Sequence, residues 1–167
     1  MDEKIFKAYD IRGIYPSELD DQTAYDIGRA YATLLQRENG SKQLTIAVCC
    51  DMRLSSHALK AKTIEGLTDS GMNVVDFGML STPTYYFGVA FFGYDGGIQV
   101  SASHNPKEFN GFKPIRARGV PISKETGLLT MKDMILKQEF VSSGHKGSIS
   151  AKEGVTETTQ REQAKDI

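Results

Sequence analysis

Apolar positions recur with a helical period in some stretches of this chain and gather into short unbroken runs in others. Ala24, Ile27, Tyr31, Leu34 and Leu35 fall three or four residues apart. They predict an amphipathic helix over 21–37, with Asp20 or Asp21 at its N-terminus and Asn39-Gly40 at its end. The run 44–50 has the pattern of a buried strand. Ala61, Ile64 and Leu67 predict a second helix, opened by Ser55 or Ser56 and closed by Gly71. Residues 73–77 predict a strand, Pro83 sets the first turn of a third helix ending near Gly93, and 97–101 predict another strand. A polar loop from 102 to about 111 precedes an extended stretch over 112–116. Ser123 is placed to cap a last helix to about residue 137. At the front, 7–11 reads as a short strand followed by a turn through Gly13 and Pro16.

Strands alternating with helices of this length imply right-handed crossovers and a sheet covered on both faces. The expected fold is a three-layer α/β/α sandwich with a mixed, mostly parallel sheet. The 167 residues suffice for one core, since a chain of this size buries roughly two-thirds of its extended surface. After Val141 the composition turns polar, and only five of the last twenty residues are apolar. That places a boundary near Ser150, with 1–150 as the domain and 151–167 as a linker or the truncated start of a second domain.

Charge narrows the partners. Twenty basic against 21 acidic residues give a net charge of −1, so no bulk field grips a nucleic-acid backbone and any anion site must be local. No apolar run reaches membrane-spanning length, and the acidic opening Met1-Asp2-Glu3-Lys4 lacks the features of a secretory signal. Cys49 and Cys50 are neighbours, and on a strand they point to opposite faces, which disfavours a disulfide between them. Two reduced thiols fit a cytoplasmic protein.

In open α/β sheets ligands collect beyond the carboxyl ends of the strands. Four polar loops are expected there: Tyr9-Asp10-Ile11-Arg12-Gly13, Asp51-Met52-Arg53-Leu54-Ser55-Ser56, Ser81-Thr82-Pro83-Thr84 and Ser101-Ala102-Ser103-His104-Asn105-Pro106. Ser103 in a turn, with His104, Lys107, Lys113 and Arg12 around it, would suit a serine bearing a phosphate. The bland alternatives stay open at this point. Ser103 can bond its own backbone, Arg12 can pair with Asp10 or Asp51, and Asp51 and Arg53 can serve as scaffolding for the loops.

The loop Ser101-Ala102-Ser103-His104-Asn105-Pro106, followed by Phe109-Asn110-Gly111-Phe112-Lys113, resembles the phosphoserine loop of the α-D-phosphohexomutases, the family of phosphomannomutase and phosphoglucomutase. Phe6-Lys7-Ala8-Tyr9-Asp10-Ile11-Arg12-Gly13 resembles the opening signature of that family. The segments Asp51–Ser56 and Ser81–Thr84 resemble two more of its motifs, all four in order across residues 4–116. The resemblance implies that Ser103 carries a phosphoryl group, gives it to a hexose monophosphate to form a hexose 1,6-bisphosphate, and takes back the other phosphate. It implies phosphoryl-site contact for His104, acid/base work for Lys113, proton handling or phosphate contact for Arg12, and a pocket-lining place for Tyr9. It also implies a Mg²⁺ held partly by the phosphate on Ser103.

The aspartate-rich metal loop of the family has no counterpart here, and Asp95-Gly96-Gly97 lacks the repeated aspartates. The sugar-recognition and C-terminal phosphate-binding loops are likewise absent. The expectation is therefore the phosphoserine domain alone, inactive as an isolated mutase, with hexose phosphates and the missing downstream domains of the same polypeptide as partners. An apolar face left bare by those domains would allow self-association. A non-catalytic phosphosugar-binding or interaction domain of the same fold is the alternative reading. A receiver domain phosphorylated on Asp51 is a further one, weakened because Arg12 stands where a receiver needs an acidic residue.

Overall fold

The short apolar runs become strands because a sheet covered on both sides leaves them no polar face. In the computed structural model, which describes residues 1–40 and 43–166, six strands form one sheet. They are β1 (Ile11–Ile14), β2 (Thr45–Cys50), β3 (Asn73–Met79), β4 (Gly96–Val100), β5 (Phe109–Arg116) and β6 (Ile149–Ala151). Their order is β1-β5-β4-β2-β3-β6. The pairs β2–β3, β2–β4 and β3–β6 are parallel, and β5 runs antiparallel to both its neighbours. The sheet is thus mixed and mostly parallel.

The helices are α1 (Asp21–Asn39), α2 (Ser56–Asp69), α3 (Thr82–Phe91), α4 (Leu129–Lys137) and α5 (Val155–Gln163). Ile46, Val48, Ile98, Val100 and Phe112 point from the sheet into one core with residues of α1, α2 and α4. Ala47, Val75, Phe77 and Ile115 point into the opposite core, closed by Tyr85 and Val89 of α3 and Val155 of α5. Three layers result. The helices α1 and α2 touch almost backbone to backbone: a Cβ on Gly28 would lie 2.5 Å from the Thr63 carbonyl, and one on Gly66 would fall on that of Tyr25.

Several boundaries depart from the periodicity, each for a local reason. Residues 7–10 form a tight turn, in which the Lys7 amide donates to the Asp10 carbonyl at 2.9 Å, and the strand starts only at Ile11. β5 starts at Phe109 rather than 112 because β1 offers it a partner over 109–112. Ser123 does cap, in a reciprocal pair with Thr126, but a wide turn over Lys124–Leu128 precedes the regular helix α4. The polar stretch after Val141 also carries structure. β6 extends the sheet beside β3, and α5 packs Val155 and Thr159 inward. Ile167 lies outside the described residues.

Cys49 and Cys50 do face opposite cores, both buried as free thiols. Burial pushes both thiols above their ordinary value. Because the thiolate is the reactive form, a thiol-disulfide reagent at pH 7 should leave both unmodified in the folded chain and label both in urea.

At the start of α1, Asp20 accepts from the Thr23 amide at 2.9 Å and from its hydroxyl at 2.8 Å. The Thr23 amide bond is the chief cause of a lowered Asp20 pKa, against a smaller opposing effect of burial. A carboxyl lowered on folding contributes stability above its unfolded value, roughly pH 4, and loses it as pH falls through the folded one. Asp20→Ala should lower unfolding free energy by about 1 kcal/mol at pH 7 in urea titrations, a gap that narrows at strongly acid pH, whereas Asp20→Asn should retain most of the cap.

Candidate active site

Three loops begin side by side at one end of the sheet because the strands they leave are neighbours. The Asp51 amide donates to the Val100 carbonyl at 3.0 Å, the Leu80 amide to Cys50 at 3.1 Å, and the Ser101 amide to Gly111 at 2.9 Å. The loops after β2, β3 and β4 therefore share one rim.

Ser103 is exposed on the loop after β4 with φ +52°, in the left-handed region. Its amide donates to the Ser101 hydroxyl at 3.1 Å. Asn105 closes the turn by donating its amide and its Nδ2 to the Ala102 carbonyl. Ser103 and His104 open onto a cavity of about 670 Å³, lined also by Ser81, Thr82, Gln99 and Thr156. The N-terminus of α3 borders it, with Ser81 as the cap and Pro83 in the first turn. Gln99, 1% exposed, ties this corner together: Thr82 donates to its Oε1 at 2.8 Å and its Nε2 donates to the Leu80 carbonyl at 3.0 Å.

The cations stand one and two strands away, on the same face. Lys113 pairs in register with Gln99, and Arg12 with Gly111, the residue that receives the Ser101 amide bond. Alternation along β5 then puts Arg12, Lys113 and Gln99 on one side of the sheet. Asp10, 8% exposed, sits between the two: one carboxylate oxygen binds the Arg12 guanidinium and lies 3.6 Å from Lys113 Nζ. The Arg12 Nε is buried with no hydrogen-bond partner among the described residues. The Tyr85 hydroxyl donates to the Lys113 carbonyl at 2.9 Å. Burial, and then the Asp10 charge, push Tyr86 above its ordinary pKa.

Tyr9 is 73% exposed in the turn before β1. Lys107, grouped with Ser103 by sequence, lines a separate groove with Tyr15, Met52 and Leu54. Asp51 and Arg53 are indeed loop scaffolding. Arg53 reaches into the Ser103 loop, and Asp51 holds Arg53 and accepts from the Ser56 hydroxyl at 2.6 Å. Sequence reasoning passed over Gln99 and gave Asp10 only as a partner for Arg12. A glutamine inside the otherwise apolar strand Gly97-Ile98-Gln99-Val100 was the signal available for the first.

Residues 3–142 match the family described as phosphoglucomutase/phosphomannomutase, alpha/beta/alpha domain I. The chain belongs to that family. It is 47% identical over 143 residues to a phosphomannomutase of Vibrio cholerae, a match covering 86% of this chain and 31% of that protein. It is 43% identical over 135 residues to a phosphomannomutase of Klebsiella pneumoniae, there covering 82% of a shorter relative. A solved phosphoglucomutase/phosphomannomutase family protein from Burkholderia thailandensis superposes with a TM-score of 0.79 at 33% identity, covering 96% of this chain and 35% of that one. The chain thus spans about a third of the length of most of these relatives, and what it contains is domain I.

Around Ser103 this domain offers hydroxyls, the Gln99 amide and His104, while the nearby Asp51 carboxylate is already bound by Arg53 and Ser56. Among the described residues no three His, Cys, Asp or Glu side chains cluster as metal ligands. Magnesium asks for several oxygen ligands in near-octahedral array, and this donor set does not by itself fit one.

Gly111 is the hinge of the arrangement. A Cβ there would strike the Ile11 carbonyl and lie 3.1 Å from both Arg12 Cα and the Ser101 carbonyl. Gly111→Ala should force β1 and β4 apart, lowering stability by roughly 1–3 kcal/mol in denaturant titrations and shifting the amide resonances of Arg12 and Ser101.

Proposed function

We propose that this chain is the phosphoserine domain of a phosphohexomutase that interconverts hexose 1-phosphate and hexose 6-phosphate, mannose or glucose, through a bisphosphorylated sugar. One observation carries the reading: the sheet register gathers Arg12 and Lys113 at the rim from which the Ser103 loop springs. Phosphoryl transfer asks for positioning and charge neutralisation more than for covalent help.

In this mechanism the bond between phosphorus and Ser103 Oγ breaks as a bond forms from phosphorus to a hydroxyl oxygen of the hexose monophosphate. Lys113, the acid/base group of the matching family motif, gives a proton to the departing Ser103 Oγ and takes up the one released by the sugar hydroxyl, so that the serine leaves as its neutral hydroxyl. Arg12 neutralises charge on the moving group, with Asp10 fixing its direction. His104 orients the phosphoryl group from the cavity side, and Tyr9 borders the sugar. After the sugar reorients, its other phosphate returns to Ser103 Oγ. The remaining magnesium ligands and the sugar-selecting groups belong to later domains of the parent polypeptide. Residues 151–167 we read as a linker or the truncated start of the next of these, one that begins with α5 packed through Val155 against the second core of this domain. A reduced, cytoplasmic enzyme is the setting that the buried thiols support.

The test is intact mass and peptide mapping of the full-length parent after incubation with glucose 1,6-bisphosphate or its mannose analogue. One phosphoryl group on Ser103, stable to hydroxylamine and absent from Ser103→Ala, is the expected result. An unmodified Ser103, or a hydroxylamine-labile phosphate on Asp51, contradicts the proposal. The isolated 167-residue chain should show negligible turnover in a coupled mutase assay and weak or no binding of hexose phosphates by calorimetry; tight binding would favour an autonomous binding module.

A further inference from the structure

Every polar hydrogen of the Arg53 guanidinium is used. Nε donates to Asp51 Oδ2 at 3.2 Å. Nη1 donates to the carbonyls of Pro106 at 2.7 Å and Phe109 at 3.0 Å. Nη2 donates to the carbonyls of Ser103 at 3.0 Å and Asn105 at 2.7 Å. A guanidinium carries five N–H donors in a rigid planar fork, so the group is saturated. Its side chain is only 11% exposed, and the Arg53 amide donates to Asp51 Oδ1 at 3.0 Å, locking the turn it stands on.

The four acceptors span the whole phosphoserine loop, from the residue that carries the reactive hydroxyl to the first residue of β5. Beside these bonds the loop has the short-range contacts of Ser103 to Ser101, Asn105 to Ala102 and Phe109 to Pro106, and one backbone bond from outside, donated by the Tyr15 amide to the Glu108 carbonyl at 2.9 Å. A non-glycine residue with positive φ persists only where its surroundings over-determine it. The carbonyl of Ser103, whose φ is +52°, is one of those Arg53 holds.

We infer that Arg53 is the positioning residue of the phosphoserine loop, fixing the backbone of Ser103 and hence the direction of its hydroxyl from outside the reacting groups. Its catalytic consequence rests on the reading of Ser103 as phosphoacceptor; the clamp itself belongs to this chain. Lysine cannot replace it, because an ammonium has three donors at a single point and reaches neither both ends of the loop nor the Asp51 carboxylate.

The experiment compares wild type, Arg53→Lys and Arg53→Ala in the 167-residue chain by amide hydrogen exchange. The Ser103, Asn105 and Phe109 amides are read against α1 as an internal control. Both variants should lose protection in the loop by about 10²-fold while α1 keeps its own, since the lost bonds are local. Millimolar guanidinium, and not ammonium, should restore the loop in Arg53→Ala. Wild-type protection in Arg53→Lys, or loss spread equally over α1, overturns the clamp. Should either variant fail to fold, Asp51→Asn keeps the test decisive: it leaves the guanidinium in place without its anchor and should loosen the same three amides by about tenfold, and an unchanged loop there contradicts the proposal.

In the full-length parent, Arg53→Lys should lower kcat by about 10²-fold with KM for the hexose phosphate changed less than about threefold. An unchanged kcat beside a loosened loop overturns the catalytic consequence. A wild-type parent that never phosphorylates Ser103 overturns the function proposed above and leaves the exchange result standing.

Discussion

The return of β5 between β4 and β1 is the constraint on which the site depends. β5 is the strand that runs against its neighbours, and it extends past the end of β4 to reach β1. That overhang brings Arg12, from the opening of the chain, into the same corner as residues about ninety positions later. It works because Gly111 sits at the crossing point, where Ile11, Arg12 and Ser101 crowd the position a side chain would need. A larger residue would separate the strand bearing Arg12 from the loop bearing Ser103, and no adjustment of the loops alone would restore the juxtaposition.

Given that frame, the remaining difficulty is the eight-residue connection from Ser101 to Glu108, most of whose carbonyls have no strand to pair with. Loops of this length ordinarily satisfy such groups with water and stay mobile. Here one guanidinium, carried on the neighbouring loop, takes three of them together with that of Phe109 where β5 begins. The Asp51 carboxylate supplies the counter-charge and is itself braced by Ser56 at the start of α2. Asn110 completes the brace: it is fully buried and donates to the hydroxyls of Ser55 and Ser56 at 2.8 and 3.0 Å. The Ser103 loop is thus mounted on α2, a rigid element of the core, rather than on its own strand alone.

Much of this was legible in the residues. The helical stripes of α1 and α2, the runs of β2, β3 and β4, and three of the four motif loops lie where spacing put them, because each is dictated by local pattern; the fourth, Tyr9–Gly13, is instead a turn running into β1. What local pattern could not reveal falls into two kinds. β5 begins early, and β6 and α5 form at all, because partners exist across the sheet: Ile149–Ala151 is exposed at each residue and too short to announce itself, and it becomes a strand only beside β3. The role of Arg53 was invisible in detail for a related reason. Its acceptors are backbone carbonyls about fifty residues away, and carbonyls leave no mark on a sequence. Asp10 was named for its pairing with Arg12, but only the pleat of β5 shows Lys113 within reach of the same carboxylate oxygen.

The division between the two cavities gives the arrangement its chemical sense. Ser103 and His104 open toward Gln99 and the N-terminus of α3, where backbone N–H groups favour anions. Arg12 and Lys113 share a single carboxylate, that of Asp10, which leaves the trio with a net positive charge. On the function proposed above, a phosphoryl group on Ser103, carrying nearly two negative charges, answers that excess of positive charge, where a bare hydroxyl does not. For the transfer proposed above, a rigidly mounted acceptor matters because both directions must find the same geometry, and the Arg53 bonds to the Ser103 loop supply that mounting.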